Sequence, residues 1–67
     1  MTKNQCKEFM RDLRGIVYGD PNKANGGIMS ERLIADHMKI SVSKAEQFLW
    51  SCAKHGVTER QGGGWVV

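Results

Sequence analysis

The sequence predicts a mainly α-helical fold that closes with a small β-hairpin. Apolar residues recur at steps of three and four in three separate segments, the period of one helix face. Turn formers or capping residues punctuate the gaps between those segments. Near the C-terminus, two β-prone stretches flank a run of glycines.

The first helix is expected from Thr2 to about Tyr18, with Cys6, Phe9, Met10, Leu13, Ile16 and Val17 on its apolar side. Thr2 followed by Gln5 fits a capping box, in which each side chain satisfies the other residue's backbone N–H. Lys3, Lys7, Arg11 and Arg14 fall on one edge beside the apolar stripe, and Glu8 and Asp12 on another side. The segment from Gly19 to Gly27 contains Gly, Asp, Pro and Asn in close succession and reads as a loop. Ile28 and Met29 read as an extended bridge out of it.

Ser30 offers an N-cap for a second helix of about two turns, with Glu31 at its positive end and Leu33, Ile34 and Met38 on one face. A turn around Lys39 to Val42 leads to a third helix with Ala45, Phe48, Leu49 and Cys52 at buried spacing. Ser41 alone, or Ser43 with Glu46 as a capping box, can start it. Gly56 is suited to end it, with Lys54 and His55 at its negative end. Val57 to Arg60 and Trp65 to Val67 then form the hairpin, joined through Gln61, Gly62, Gly63 and Gly64.

With 67 residues, of which 40% are hydrophobic, the chain fits one domain spanning residues 1–67. A domain of this size buries only about 60% of the surface its unfolded chain exposes, which leaves no room for an enclosed catalytic cleft beside a core. No enzymatic activity is expected. No apolar run approaches the roughly 20 residues that cross a bilayer, and the basic start is not followed by the apolar core of a leader. Two widely spaced cysteines among apolar neighbours do not make a disulfide framework, so a reduced, cytoplasmic protein is expected. Ten Lys and Arg against seven Asp and Glu give a net charge of +3, a mild lean toward anionic partners.

Three helices with a tight turn between the second and third, followed by a hairpin, are the layout of a helix-turn-helix with a wing. Ile34 and Ala35, Ile40 and Ser41, Ala45 and Leu49, and Gly56 with Val57 fall at spacings that resemble the winged helix-turn-helix family. Cys52 stands where a leucine is common, and Lys39 where a glycine often turns the chain. In its length the chain resembles small pilus-operon regulators of the FaeA/PapI type and similar short phage or plasmid winged-helix proteins. The resemblance implies a three-helix winged domain that regulates transcription by binding duplex DNA, with the third helix in the major groove.

On that reading the exposed face of helix three carries Ser43, Gln47, Trp50 and Lys54, with Lys44 and Glu46 at its sides. Lys44 and Lys54 suit phosphate, Gln47 suits an adenine edge, and Ser43 suits either. Glu46 opposes phosphate unless its carboxylate is engaged by a cap or accepts from a cytosine amino group. Trp50 is expected either to pack on the wing, against Trp65, or to contact a partner. In the wing, Gly62 and Gly63 allow close approach to a phosphate, and Arg60 is placed for a minor groove. If the elements dock as in that family, the helix-one basic edge shares this side and supplies auxiliary phosphate contacts, bringing seven of the ten basic residues together.

A short chain offers few phosphate contacts, so a homodimer or a larger regulator protein is an expected partner. Two other functions fit the exposed aromatic: a protein-interaction module anchored on Trp50, Glu46 and the wing, and a binder of non-B-form nucleic acid. For the latter, Glu46, Trp50 and the glycine run depart from the asparagine, tyrosine and wing prolines of the Z-form binders. Metal and cofactor chemistry is not expected. Cys52 and His55 lack a second ligand pair, His37 reads as a surface residue, Glu8 and Asp12 lie in no cleft, and Asn25-Gly26-Gly27 lacks the continuation of a phosphate loop.

Overall fold

In the computed structural model, which describes residues 1–24 and 26–67, the order is α1 (Lys3–Tyr18), β1 (Ile28–Met29), α2 (Glu31–Met38), α3 (Val42–Lys54), β2 (Arg60–Gln61) and β3 (Gly64–Val66). Asn25, in the expected glycine-rich loop, lies outside the described residues. The three helices and the small antiparallel sheet are compatible with a helix-turn-helix carrying a wing.

The helix boundaries follow the capping chemistry. Thr2 Oγ1 accepts the Gln5 N–H at 3.1 Å while Gln5 Oε1 accepts the Thr2 N–H at 2.8 Å, so the capping box is complete. Ser30 and Ser41 cap α2 and α3 by accepting the N–H groups of Leu33 and Lys44. Ser41 takes the role for which Ser43 with Glu46 was the alternative, which leaves Glu46 exposed on the first turns of α3.

Both α2 and α3 end in a paired closure of carbonyls. Ile40 N–H reaches Ala35 O and Lys39 N–H reaches Asp36 O; Val57 N–H reaches Cys52 O and Gly56 N–H reaches Ala53 O. In each case the closing residue is left-handed. Gly56, at φ 73°, takes that conformation freely, whereas Lys39, at φ 56°, does so against the clash of its own Cβ.

The expected hairpin is one part of a three-stranded sheet in the order β1-β3-β2. Ile28 and Met29 pair with Val66 and Trp65, so the presumed bridge is an edge strand. The first hairpin strand is shorter than expected and shifted toward the tip: Arg60 and Gln61, the latter expected in the turn, pair with Trp65 and Gly64, while residues 57–59 form the exit from α3. The Val57 N–H is held by the helix closure, and the Thr58 hydroxyl donates to Val66 O at 2.6 Å. Gly64, expected at the tip, is buried in β3. A Cβ there would stand 2.6 Å from Met29 O and 2.7 Å from Ile28 Cγ2.

The core joins Cys6, Phe9, Met10 and Leu13 of α1 to Ile34 and Ala35, to Ala45, Leu49 and Cys52, and to Met29, Trp65 and Val67. Ile16 and Leu33, expected on buried faces, are exposed, because each sits at the margin of its helix's apolar stripe. Phe48 is half-buried and meets Phe9 edge to face at 5.5 Å. The two cysteines, 46 positions apart in the chain, are neighbours: Cys52 Sγ lies 3.8 Å from Cys6 O, and both are buried free thiols. No helix is long and apolar enough to cross a membrane among the described residues.

Candidate nucleic-acid interface

Burying Ala45, Leu49 and Cys52 turns the opposite side of α3 outward, and Ser43, Lys44, Gln47, Trp50 and Lys54 are all exposed there. Among the described residues, the side chains of Ser43, Gln47 and Lys54 make no hydrogen bond or ion pair. Their donors and acceptors point to solvent. Lys44 has its ammonium 5.8 Å from the centre of the Phe48 ring, a cation–π contact that holds it along the α1 side of α3. Glu46 lies on the same exposed surface and opposes an anion there.

Trp50 does pack on the wing. Its ring meets Trp65 at 4.9 Å and 86°, the edge-to-face arrangement that ring quadrupoles favour. It nevertheless keeps 49% of its surface exposed, while Trp65 is fully buried.

Arg60 is held by three partners. Its guanidinium lies 5.5 Å from the Trp50 ring and 5.4 Å from the Trp65 ring, and it donates to Glu31 Oε1 at 2.9 Å. The same oxygen accepts the Trp65 indole N–H at 3.1 Å. One carboxylate oxygen at the start of α2 therefore fixes the wing to the helix-turn-helix. Glu31 was legible in the sequence only as a charge suited to a helix N-terminus. A buried tryptophan's need for an acceptor was the remaining signal.

Gly62, at φ 58°, and Gly63 form the wing tip, and a Cβ on either would meet nothing within 4 Å. The tip is open to a ligand. Gly64 is not part of it.

The helix-one basic edge is gathered elsewhere. Lys3, Lys7, Arg11 and Arg14 form one wall of a groove of about 480 Å³ whose other wall is the loop at 21–22 and the α3 exit at 56–57. No residue of the exposed α3 face lines it. At 100° per residue, the middle of this stripe is roughly 150° around α1 from Phe9 and roughly 95° from Cys6, the residues that meet α3 through Phe48 and Cys52. Of the seven basic residues expected to share one side, the four of α1 line the groove and Lys44, Lys54 and Arg60 do not.

Cys52 and His55 do not converge on a common point. The thiol faces Cys6, while His55 Nε2 donates to Met1 O at 3.0 Å. Burial, then the hydrogen bond and charge of Cys6, push the Cys52 thiol up to about 12 from 9.0, so it stays protonated. The chain matches no family model, no curated protein and no solved structure.

Proposed function

We propose that the chain is a small transcriptional regulator of the winged helix-turn-helix kind that binds duplex DNA in the cytoplasm. The observation that supports this most is the exposed face of α3, where Ser43, Gln47 and Lys54 present uncommitted polar groups from a 13-residue capped helix. Beside that face stands a wing tip of two unobstructed glycines. Gln47 supplies base readout, and Lys44 and Lys54 supply phosphate contacts. Ser43 hydrogen-bonds base or backbone, and Gly62 and Gly63 let the wing backbone approach a phosphate. Trp50 and Arg60 contribute an apolar and cationic ledge between helix and wing. Two Lys contacts are few, so a homodimer or a larger regulator protein completes the specificity.

Titration of the labelled protein with random-sequence duplex tests this. Amide shifts at Lys44, Gln47, Trp50 and Lys54 that weaken with salt are expected, and their absence at low salt overturns the proposal. Gln47→Ala relaxes sequence preference, whereas Lys44→Ala weakens all sequences alike.

A second reading, a protein-interaction module, is favoured by the exposure of Trp50 at 49%, Leu33 at 45% and Val42 at 41%. Under it, Trp50→Ala abolishes partner binding and leaves DNA titrations unchanged.

A further inference from the structure

The α1 groove gathers four like charges, and none of the residues of the exposed α3 face lines it. Four cations, Lys3, Lys7, Arg11 and Arg14, line it, and among the described residues no carboxylate does. Asp20, next to its loop wall, is engaged in accepting the Asn22 N–H at 2.9 Å. Arg14 also lines the adjoining pocket, which Glu59 shares. Its Nε is buried and, among the described residues, has no hydrogen-bond partner. A guanidinium donor left unpaired beside a cationic groove is the state expected of a site that receives an acceptor from outside.

The dimensions select the acceptor. Eleven helical steps separate Lys3 from Arg14, so the stripe runs about 16 Å along α1. A single phosphate covers a fraction of that length, whereas a nucleic-acid backbone presents successive phosphates along it, so that each cation meets one. The cations also line a concave wall, which fits a ridge such as a sugar-phosphate backbone better than the flat face of a bilayer.

We propose that this groove, between α1 and the α3 exit, is a second nucleic-acid contact that binds the phosphodiester backbone without reading sequence. It does not require the α3 reading. Arg11 and Arg14 supply forked donors and Lys3 and Lys7 supply mobile point charges, a mixture that tolerates many backbone geometries. With a sequence-reading face and a separate backbone-binding groove, the chain grips nucleic acid at two places.

The test uses the full chain with the α3 face disabled by Lys44→Glu and Gln47→Glu, titrated with a short random duplex while the amides of Lys7, Arg11, Arg14 and Asn22 are followed. The groove amides are expected to shift, and log affinity to fall with log salt at a slope of about −3.6 for four phosphates neutralised. Adding Lys7→Gln and Arg11→Gln flattens that slope to about −1.8. These side chains are exposed, and unchanged amide dispersion elsewhere confirms that the fold is kept. Silent groove amides, in a wild-type chain whose α3 amides still respond, overturn this inference and spare the α3 reading. Silence at both surfaces overturns both. An equal response to inorganic phosphate at matched phosphate concentration, or a response to anionic phospholipid vesicles alone, assigns the groove to another ligand and overturns it as well.

Discussion

Glu31 is the point at which wing and helix-turn-helix are joined, and two substitutions separate what it contributes. Its Oε1 accepts from the fully buried Trp65 indole at 3.1 Å and from Arg60 at 2.9 Å. Glu31→Gln retains an acceptor for the indole but removes the charge. The Arg60 pair is part-exposed and is worth about 0–1 kcal/mol, and the interaction with the helix N-terminus adds about 0.3–1 kcal/mol. Glu31→Ala removes the acceptor too and leaves a buried N–H unpaired, a further cost of about 1–3 kcal/mol. For a domain of this size each kcal/mol moves the midpoint by about 4–8 °C, so the alanine variant should melt about 8–16 °C below the glutamine variant for a central cost of about 2 kcal/mol. Thermal melts followed by circular dichroism measure this. Melting of the two variants within about 2 °C of each other would show that the indole bond contributes nothing and refute the assignment. The glutamine variant carries a second expectation. Arg60, released from its carboxylate, becomes available to a phosphate and steepens the salt slope of duplex binding by about 0.9.

Other residues yield expectations of the same kind. Gly64→Ala drives a methyl to 2.6 Å from Met29 O and should cost about 1–3 kcal/mol in urea unfolding, whereas Gly63→Ala at the open tip should stay within about 0.5 kcal/mol. Lys39→Gly relieves a left-handed lysine at φ 56° and should stabilise the fold by about 0.5–1 kcal/mol, read as a higher melting midpoint. The folded state holds the Cys52 proton more tightly than the unfolded chain, because burial pushes that thiol from 9.0 up to about 12. Its stabilising contribution is therefore complete below about pH 9 and is lost at about 1.4 kcal/mol per pH unit as pH rises from there toward about 12; Cys52→Ala should flatten that alkaline decline in unfolding titrations.

What was legible in the sequence was local. Thr2 with Gln5, Ser30, and Gly56 mark helix ends because each acts on backbone groups within a turn of itself. The choice between Ser41 and Ser43 stayed open because both satisfy the same short-range rule, and only the register of α3 against the core decides it. The features that were not legible are long-range. Two residues are too few to show strand alternation, so β1 exists only because Ile28 and Met29 meet Val66 and Trp65. Cys6 meets Cys52 for a similar reason: helix packing brings together residues that no spacing rule links. Pairing of Trp50 with Trp65 was anticipated from the cost of exposing an indole. That Arg60 is drawn into the same contact was not, because the requirement originates in Glu31, 29 positions earlier.

The position of the charges also decides how the two candidate surfaces should differ in behaviour. On the α3 side, Lys44 and Lys54 are opposed by Glu46, and Arg60 is already paired with Glu31, so about two cations remain to neutralise phosphate. On the α1 side four cations face a groove that, among the described residues, no carboxylate lines. Counterion release scales with phosphates neutralised, so the α3 amides should report a salt slope of about −1.8 and the groove amides one of about −3.6 in the same titration. Raising salt would then strip the groove first and leave the α3 contacts, which depend more on Gln47 and Ser43 hydrogen bonds and on the Trp50 surface. An identical slope at both sets of amides would mean that one continuous footprint covers them, and the division of the basic residues into two surfaces would have no functional meaning.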